Sequence, residues 1–78
     1  MYGLSEAELG TIKKTLNDIA VQKVVIFGSR AKGNFKKGSD VDLAIIGDEK
    51  KASYQLNEET NLPYFFDVVN LYEITNKN

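Results

Sequence analysis

Apolar positions recur at helical spacing over the first twenty residues and then gather into short unbroken runs. Leu9, Ile12, Leu16 and Ile19 fall on one helical face, which predicts an amphipathic helix from about Glu6 to Ala20. Its start is marked by Ser5-Glu6-Ala7-Glu8, a capping box in which Ser5 caps the helix and Glu8 returns the bond. Leu4 and Leu9 occupy the staple positions around it. Lys23 to Phe27 is a continuous β-branched run, the pattern of a strand buried on both faces. Val41 to Ile46 predicts a second strand and Gly47-Asp48-Glu49-Lys50 a turn. Lys51 to Thr60 reads as a helix with Ala52, Leu56 and Tyr54 inward, ended by Asn61-Leu62-Pro63. Tyr64 to Leu71 predicts a third strand, and Glu73 to Asn78 a polar tail.

A short helix through Lys32, with Ser29 as its expected N-cap, completes the order α-β-α-β-α-β. This is an α/β (α+β) pattern, a small mixed β-sheet flanked by helices. Residues 1–78, without repeat or low-complexity linker, form one small domain. Because Asn78 follows the third strand so soon, the open face of the sheet is expected to be covered by a partner or by further chain.

Composition narrows the chemistry. There is no His and no Cys, so catalytic triads, Cys–His pairs and the usual zinc sites are excluded within this chain. A cysteine-free chain with no apolar run of spanning length and no apolar leader is expected to work in the cytoplasm, away from membranes. The net charge of −1 argues against a general nucleic-acid binder. Its distribution is more informative. Lys23, Arg30, Lys32, Lys36 and Lys37 lie in a stretch between Asp18 and Asp40 that holds no acid. A cationic loop followed by clustered acids suits a polyphosphate held by a metal. Within that stretch Lys36 and Lys37 read as a solvated loop, anchored by Phe35.

Three carboxylates stand out. Asp40 and Asp42 share one face of a strand, about 7 Å apart along it. Alone, such a pair reads as two solvent-facing charges. Asp67, however, interrupts the apolar run Tyr64-Phe65-Phe66-Asp67-Val68-Val69. If the third strand lies beside the second, Asp67 becomes a cross-strand neighbour of the pair. Three carboxylates on adjoining strands suit one or two magnesium ions, or a metal plus a proton acceptor; an edge strand with Asp67 in water is the plainer alternative. Gly28-Ser29 adds a turn that lets a backbone approach a phosphate and a hydroxyl at a helix start. Gly28 and Gly33 have the spacing of a Walker A loop, but Asn34-Phe35 stands where Lys-Ser/Thr is required.

Taken together, Gly28-Ser29, ten residues, then Asp40-Val41-Asp42 resembles the G-S-x10-D-x-D signature of the polymerase-β-like nucleotidyltransferases. The fuller string Gly28-Ser29-Arg30-Ala31-Lys32-Gly33 with Ser39-Asp40-Val41-Asp42-Leu43 is similar to the minimal nucleotidyltransferase (MNT) subgroup. The resemblance implies that Gly28, Ser29 and Arg30 bind the nucleotide, while Asp40, Asp42 and Asp67 are the catalytic, metal-holding carboxylates, with two Mg2+ ions. It implies transfer of a nucleoside monophosphate, AMP from ATP, to a hydroxyl. It further implies a HEPN-type toxin partner, modified on a tyrosine, with this chain as the antitoxin, in a homo- or hetero-oligomer. The family's pattern continues with a further helix after the third strand. Two alternatives stand beside it: a non-catalytic module that neutralises its partner by docking, and a transferase acting on a small molecule of aminoglycoside type.

Overall fold

The chain begins its regular structure where the capping box places it. In the computed structural model, which describes residues 2–36 and 38–75, helix α1 spans Glu6–Asp18. Lys37 of the basic loop and residues 76–78 of the expected tail lie outside the described residues. Ser5 Oγ accepts from Glu8 N at 3.1 Å and Glu8 Oε1 accepts from Ser5 N at 2.9 Å. These bonds satisfy amides that a helix start otherwise leaves unpaired. The helix ends earlier than its apolar spacing suggests, because Ala20 takes a left-handed φ of 60° and Val21 N turns back to Leu16 O.

Strand β1 (Lys23–Phe27), the four-residue helix α2 (Ser29–Lys32) and strand β2 (Val41–Ile46) follow. Helix α3 (Glu49–Glu58), strand β3 (Phe66–Asn70) and a further helix, α4 (Leu71–Thr75), complete the order. The sheet runs β1-β2-β3. β1 pairs antiparallel with β2, and β2 parallel with β3, so the sheet is mixed as expected. A crossover carrying α3 joins the parallel pair, which a tight turn could not do.

Val41, Leu43 and Ile45 alternate along β2 and meet Ile12 and Leu16 of α1, Ala52 and Leu56 of α3, and Phe66 of β3 in a single core. Asp42 and Ala44 fall between them, on the opposite face.

Five expectations are corrected. β1 is not buried on both faces: it is an edge strand, and Val24 and Val25 are 39% and 38% exposed. An apolar run of this length carries no information about whether a second strand flanks it. The N-cap of α2 is Gly28, with Ser29 the first helical residue. α3 starts two residues before Lys51, because Asp48 accepts from Lys51 N at 3.1 Å and acts as its cap. Tyr54 points outward, 57% exposed. Finally, β3 stops at Asn70 and the chain turns into α4, where a polar tail had been expected. Asn70 Oδ1 accepts from Tyr72 N at 2.9 Å, a side-chain turn that competes with strand pairing and opens the helix.

Candidate active site

The pairing of the strands explains why the motif is spaced as it is. In the antiparallel register Phe27 lies opposite Asp42, so the segment from Gly28 to Asp40 leaves the sheet and returns beside its own start. Gly28 therefore sits against Asp42. It has φ 76° and ψ −151°, a conformation that favours glycine. A Cβ at this position would collide with Asp42 Oδ2 and approach Cγ at 3.1 Å. The two halves of the motif are in contact through a glycine with no room for a side chain.

On the other side, Asp42 is the register partner of Asp67 in the parallel pairing of β2 with β3. Residues paired in register face the same way, so Phe27, Asp42 and Asp67 form a row across all three strands. Asp40 lies just ahead of β2 and is exposed, as is Asp67, whereas Asp42 is half-buried. Asp67 thus escapes the burial that its apolar neighbours in sequence suggested, because β3 is an edge strand of the sheet. The carboxyl of Asp42 is held above the ordinary carboxylate range, first by burial and then by the charges of Asp67 and Asp40. The three acids share one electrostatic neighbourhood.

Such a set fits a hard divalent cation: the donors are all oxygen, and a positive charge would offset the burial and the repulsion that raise the Asp42 carboxyl. Among the described residues no three His, Cys, Asp or Glu side chains close into a ready cage for an ion. The acids share a field without converging on one point.

The nucleotide-side residues separate. Gly28 and Ser29 lie at the end of β1 beside Asp42, and Ser29 O closes the short helix by accepting from Gly33 N at 3.0 Å. Arg30 is placed differently. It is 3% exposed, and its guanidinium donates to Ser39 O from Nε at 3.2 Å and Nη2 at 2.9 Å, and to Tyr2 O from Nη1 at 2.8 Å. Its guanidinium carbon lies over the rings of both Phe35 and Tyr64, 5.0 and 4.8 Å from their centroids. Phe35 anchors the loop as expected, and Arg30 is what it anchors to. Lys32 and Lys36 are exposed on that loop.

Sequence reasoning did not find the supports behind these residues. Tyr64 donates to the Glu8 carboxylate at 3.0–3.1 Å. The Glu8 carboxyl is held below its ordinary range, first by its bond from the Ser5 amide; burial opposes this, while Tyr64 adds to it. Asn57 binds both backbone groups of Phe66, accepting from its N at 2.8 Å and donating to its O at 3.0 Å. It thereby completes the free edge of β3 next to Asp67. These partners are 56 and 9 residues apart in sequence, and no local pattern marks them.

Comparison with known proteins bears on the family of the chain. Residues 10–78 match the family model described as polymerase beta, nucleotidyltransferase. Over 73 residues the chain is 38% identical to "Probable protein adenylyltransferase MntA" of Haemophilus influenzae (strain ATCC 51907 / DSM 11121 / KW20 / Rd). The match covers 85% of this chain and 64% of that protein, so the chain spans less than two thirds of the length of the relative it matches.

Proposed function

The chain belongs to the polymerase beta nucleotidyltransferase family, and from that premise we propose that it is a magnesium-dependent nucleotidyltransferase that moves AMP from ATP to a protein hydroxyl. We assign the acceptor to a tyrosine of a HEPN-type toxin, with this chain as the cytoplasmic antitoxin. One observation carries the proposal: Asp42 stands between Gly28 and Asp67 with its carboxyl raised first by burial and then by the charges of Asp67 and Asp40. Three acids that destabilise one another are retained for a cation more readily than for the fold. The name of the MntA relative supports protein as the acceptor class.

Asp40, Asp42 and Asp67 would hold the metal, which when bound neutralises phosphate charge and polarises the phosphorus under attack. Gly28 and Ser29 lie where a triphosphate would approach the carboxylates. The acceptor oxygen forms its bond to the α-phosphorus as the bond to the bridging oxygen of the β-phosphate breaks, releasing pyrophosphate. The hydroxyl proton passes to a carboxylate, and exposed Asp67 is the one we assign. Nothing in this scheme needs the His or Cys that the chain lacks.

Labelled ATP, Mg2+ and a HEPN-type partner test it directly. The wild-type chain should label the partner, and Asp42→Asn should reduce labelling at least about 100-fold, beyond the effect of losing a metal's outer support. Equal labelling by both proteins would sink the assignment. Neutralisation by docking alone draws on the open edge of β1 with its exposed Val24 and Val25. It predicts that the double variant Asp40→Asn, Asp42→Asn still protects cells from the toxin.

A further inference from the structure

Arg30 is the one buried charged residue among those described. A buried cation is costly unless its donors are met, and here they are met by two carbonyls from distant parts of the chain. Ser39 O takes two of the bonds, from Nε and Nη2, and it is the carbonyl of the peptide that leads into Asp40. Fixing that carbonyl fixes the peptide plane from which Asp40 projects. Ser39 in turn holds Lys36 by two bonds, its Oγ accepting from Lys36 N at 2.8 Å and its N donating to Lys36 O at 2.9 Å.

The other side of the guanidinium reaches the approach to Asp67. Tyr64, stacked on Arg30, is tied by its hydroxyl to Glu8 and packs edge-on against Phe66, the residue before Asp67, with ring centroids 6.5 Å apart. Val41 N donates to Phe65 O at 2.9 Å, joining the two approaches to each other. Tyr2 O closes the arrangement from the start of the chain.

We propose that Arg30 is a positioning residue, a buried clamp that sets the Ser39–Asp40 peptide and the Tyr64–Phe66 segment, and through them the separation of Asp40 and Asp67. It acts on carboxylate placement rather than on phosphate, since the guanidinium is 3% exposed and three of its five N–H donors already point into the fold. Lysine cannot replace it, because one ammonium neither forks onto a carbonyl nor fills the slot between two rings. The effect on metal loading rests on the function proposed above, whereas the clamp does not.

The test uses the whole chain with Arg30→Lys and, as a milder variant that keeps the guanidinium, Phe35→Leu. Amide exchange by NMR reads the clamp, and Mn2+ titration without nucleotide reads the carboxylates. In Arg30→Lys the Ser39 and Val41 amides, which donate to Lys36 O and Phe65 O, should exchange about tenfold faster while α1 and α3 keep their protection. Mn2+ affinity should fall about tenfold, as for lost outer support of a metal site, and kcat should fall with the nucleotide KM held. Phe35→Leu should move the same signals less, and it carries the test if Arg30→Lys does not fold. Unchanged exchange at Ser39 and Val41 overturns the proposal. So does unchanged Mn2+ affinity with a raised nucleotide KM, which would make Arg30 a phosphate ligand. A wild-type chain that binds no Mn2+ overturns the function proposed above, while faster loop exchange in Arg30→Lys would still uphold the clamp.

Discussion

Asp42 and Asp67 stand opposite each other on neighbouring parallel strands, and the charge of Asp67 helps to raise the Asp42 carboxyl above its ordinary value. Burial is the larger cause, and Asp40 adds a third contribution. An acid whose folded pKa exceeds its unfolded one binds its proton more tightly in the native state. Its contribution to stability is therefore full below the unfolded pKa and lost as the pH rises through the folded one. In a chelating buffer, denaturation of wild type and Asp42→Asn should show their stabilities diverging across that window, with the variant the more stable at neutral pH. Parallel pH profiles would contradict the coupling.

A divalent cation should reverse this cost. Bound only by the folded state, Mg2+ at about 100 times its Kd adds about 2.7 kcal/mol. Differential scanning calorimetry should find a higher Tm with Mg2+ for the wild-type chain. The double variant Asp40→Asn, Asp42→Asn should show no such rise.

Gly28→Ala combines two penalties at one position. The residue keeps φ at 76°, and the new Cβ meets the Asp42 carboxylate. A left-handed φ alone costs about 1 kcal/mol or more in a non-glycine residue. Urea denaturation should report at least that loss. Metal binding should fall as well, because relief of the collision displaces Asp42.

Asn57→Ala should cost about 1–3 kcal/mol, the penalty for leaving buried backbone groups unpaired. Phe66 is fully buried, and Asn57 serves both its N–H and its carbonyl. Amide exchange at Phe66 should accelerate ahead of exchange in β2. If the Phe66 amide keeps its protection, the side chain is not its partner in solution.

Ser5→Ala removes the N-cap of α1 and should lower stability by about 1 kcal/mol. Circular dichroism melts would show it. A Ser5→Asp variant should restore most of the loss, since an aspartate accepts the same amide and favours the helix N-terminus.

What the sequence alone determined about this protein is local. The capping box of Ser5 and Glu8, the apolar face of α1 and the bounds of β1 and β2 follow from side-chain period and short-range hydrogen bonding, which involve residues within a few positions. The spacing of Gly28-Ser29 from Asp40 and Asp42 pointed to one site through its resemblance to a family signature, since each half of the motif by itself reads as a turn or as surface charge. Tertiary structure decided what depends on strand order. It set Asp42 against both Gly28 and Asp67, left β1 and Asp67 on sheet edges, and began α4 where a tail was expected. It also drew Arg30, assigned from sequence to the nucleotide, into the fold between Phe35 and Tyr64. A basic residue in a loop has the same local pattern whether its guanidinium meets a phosphate or two carbonyls; only the packing of segments distant in sequence distinguishes them.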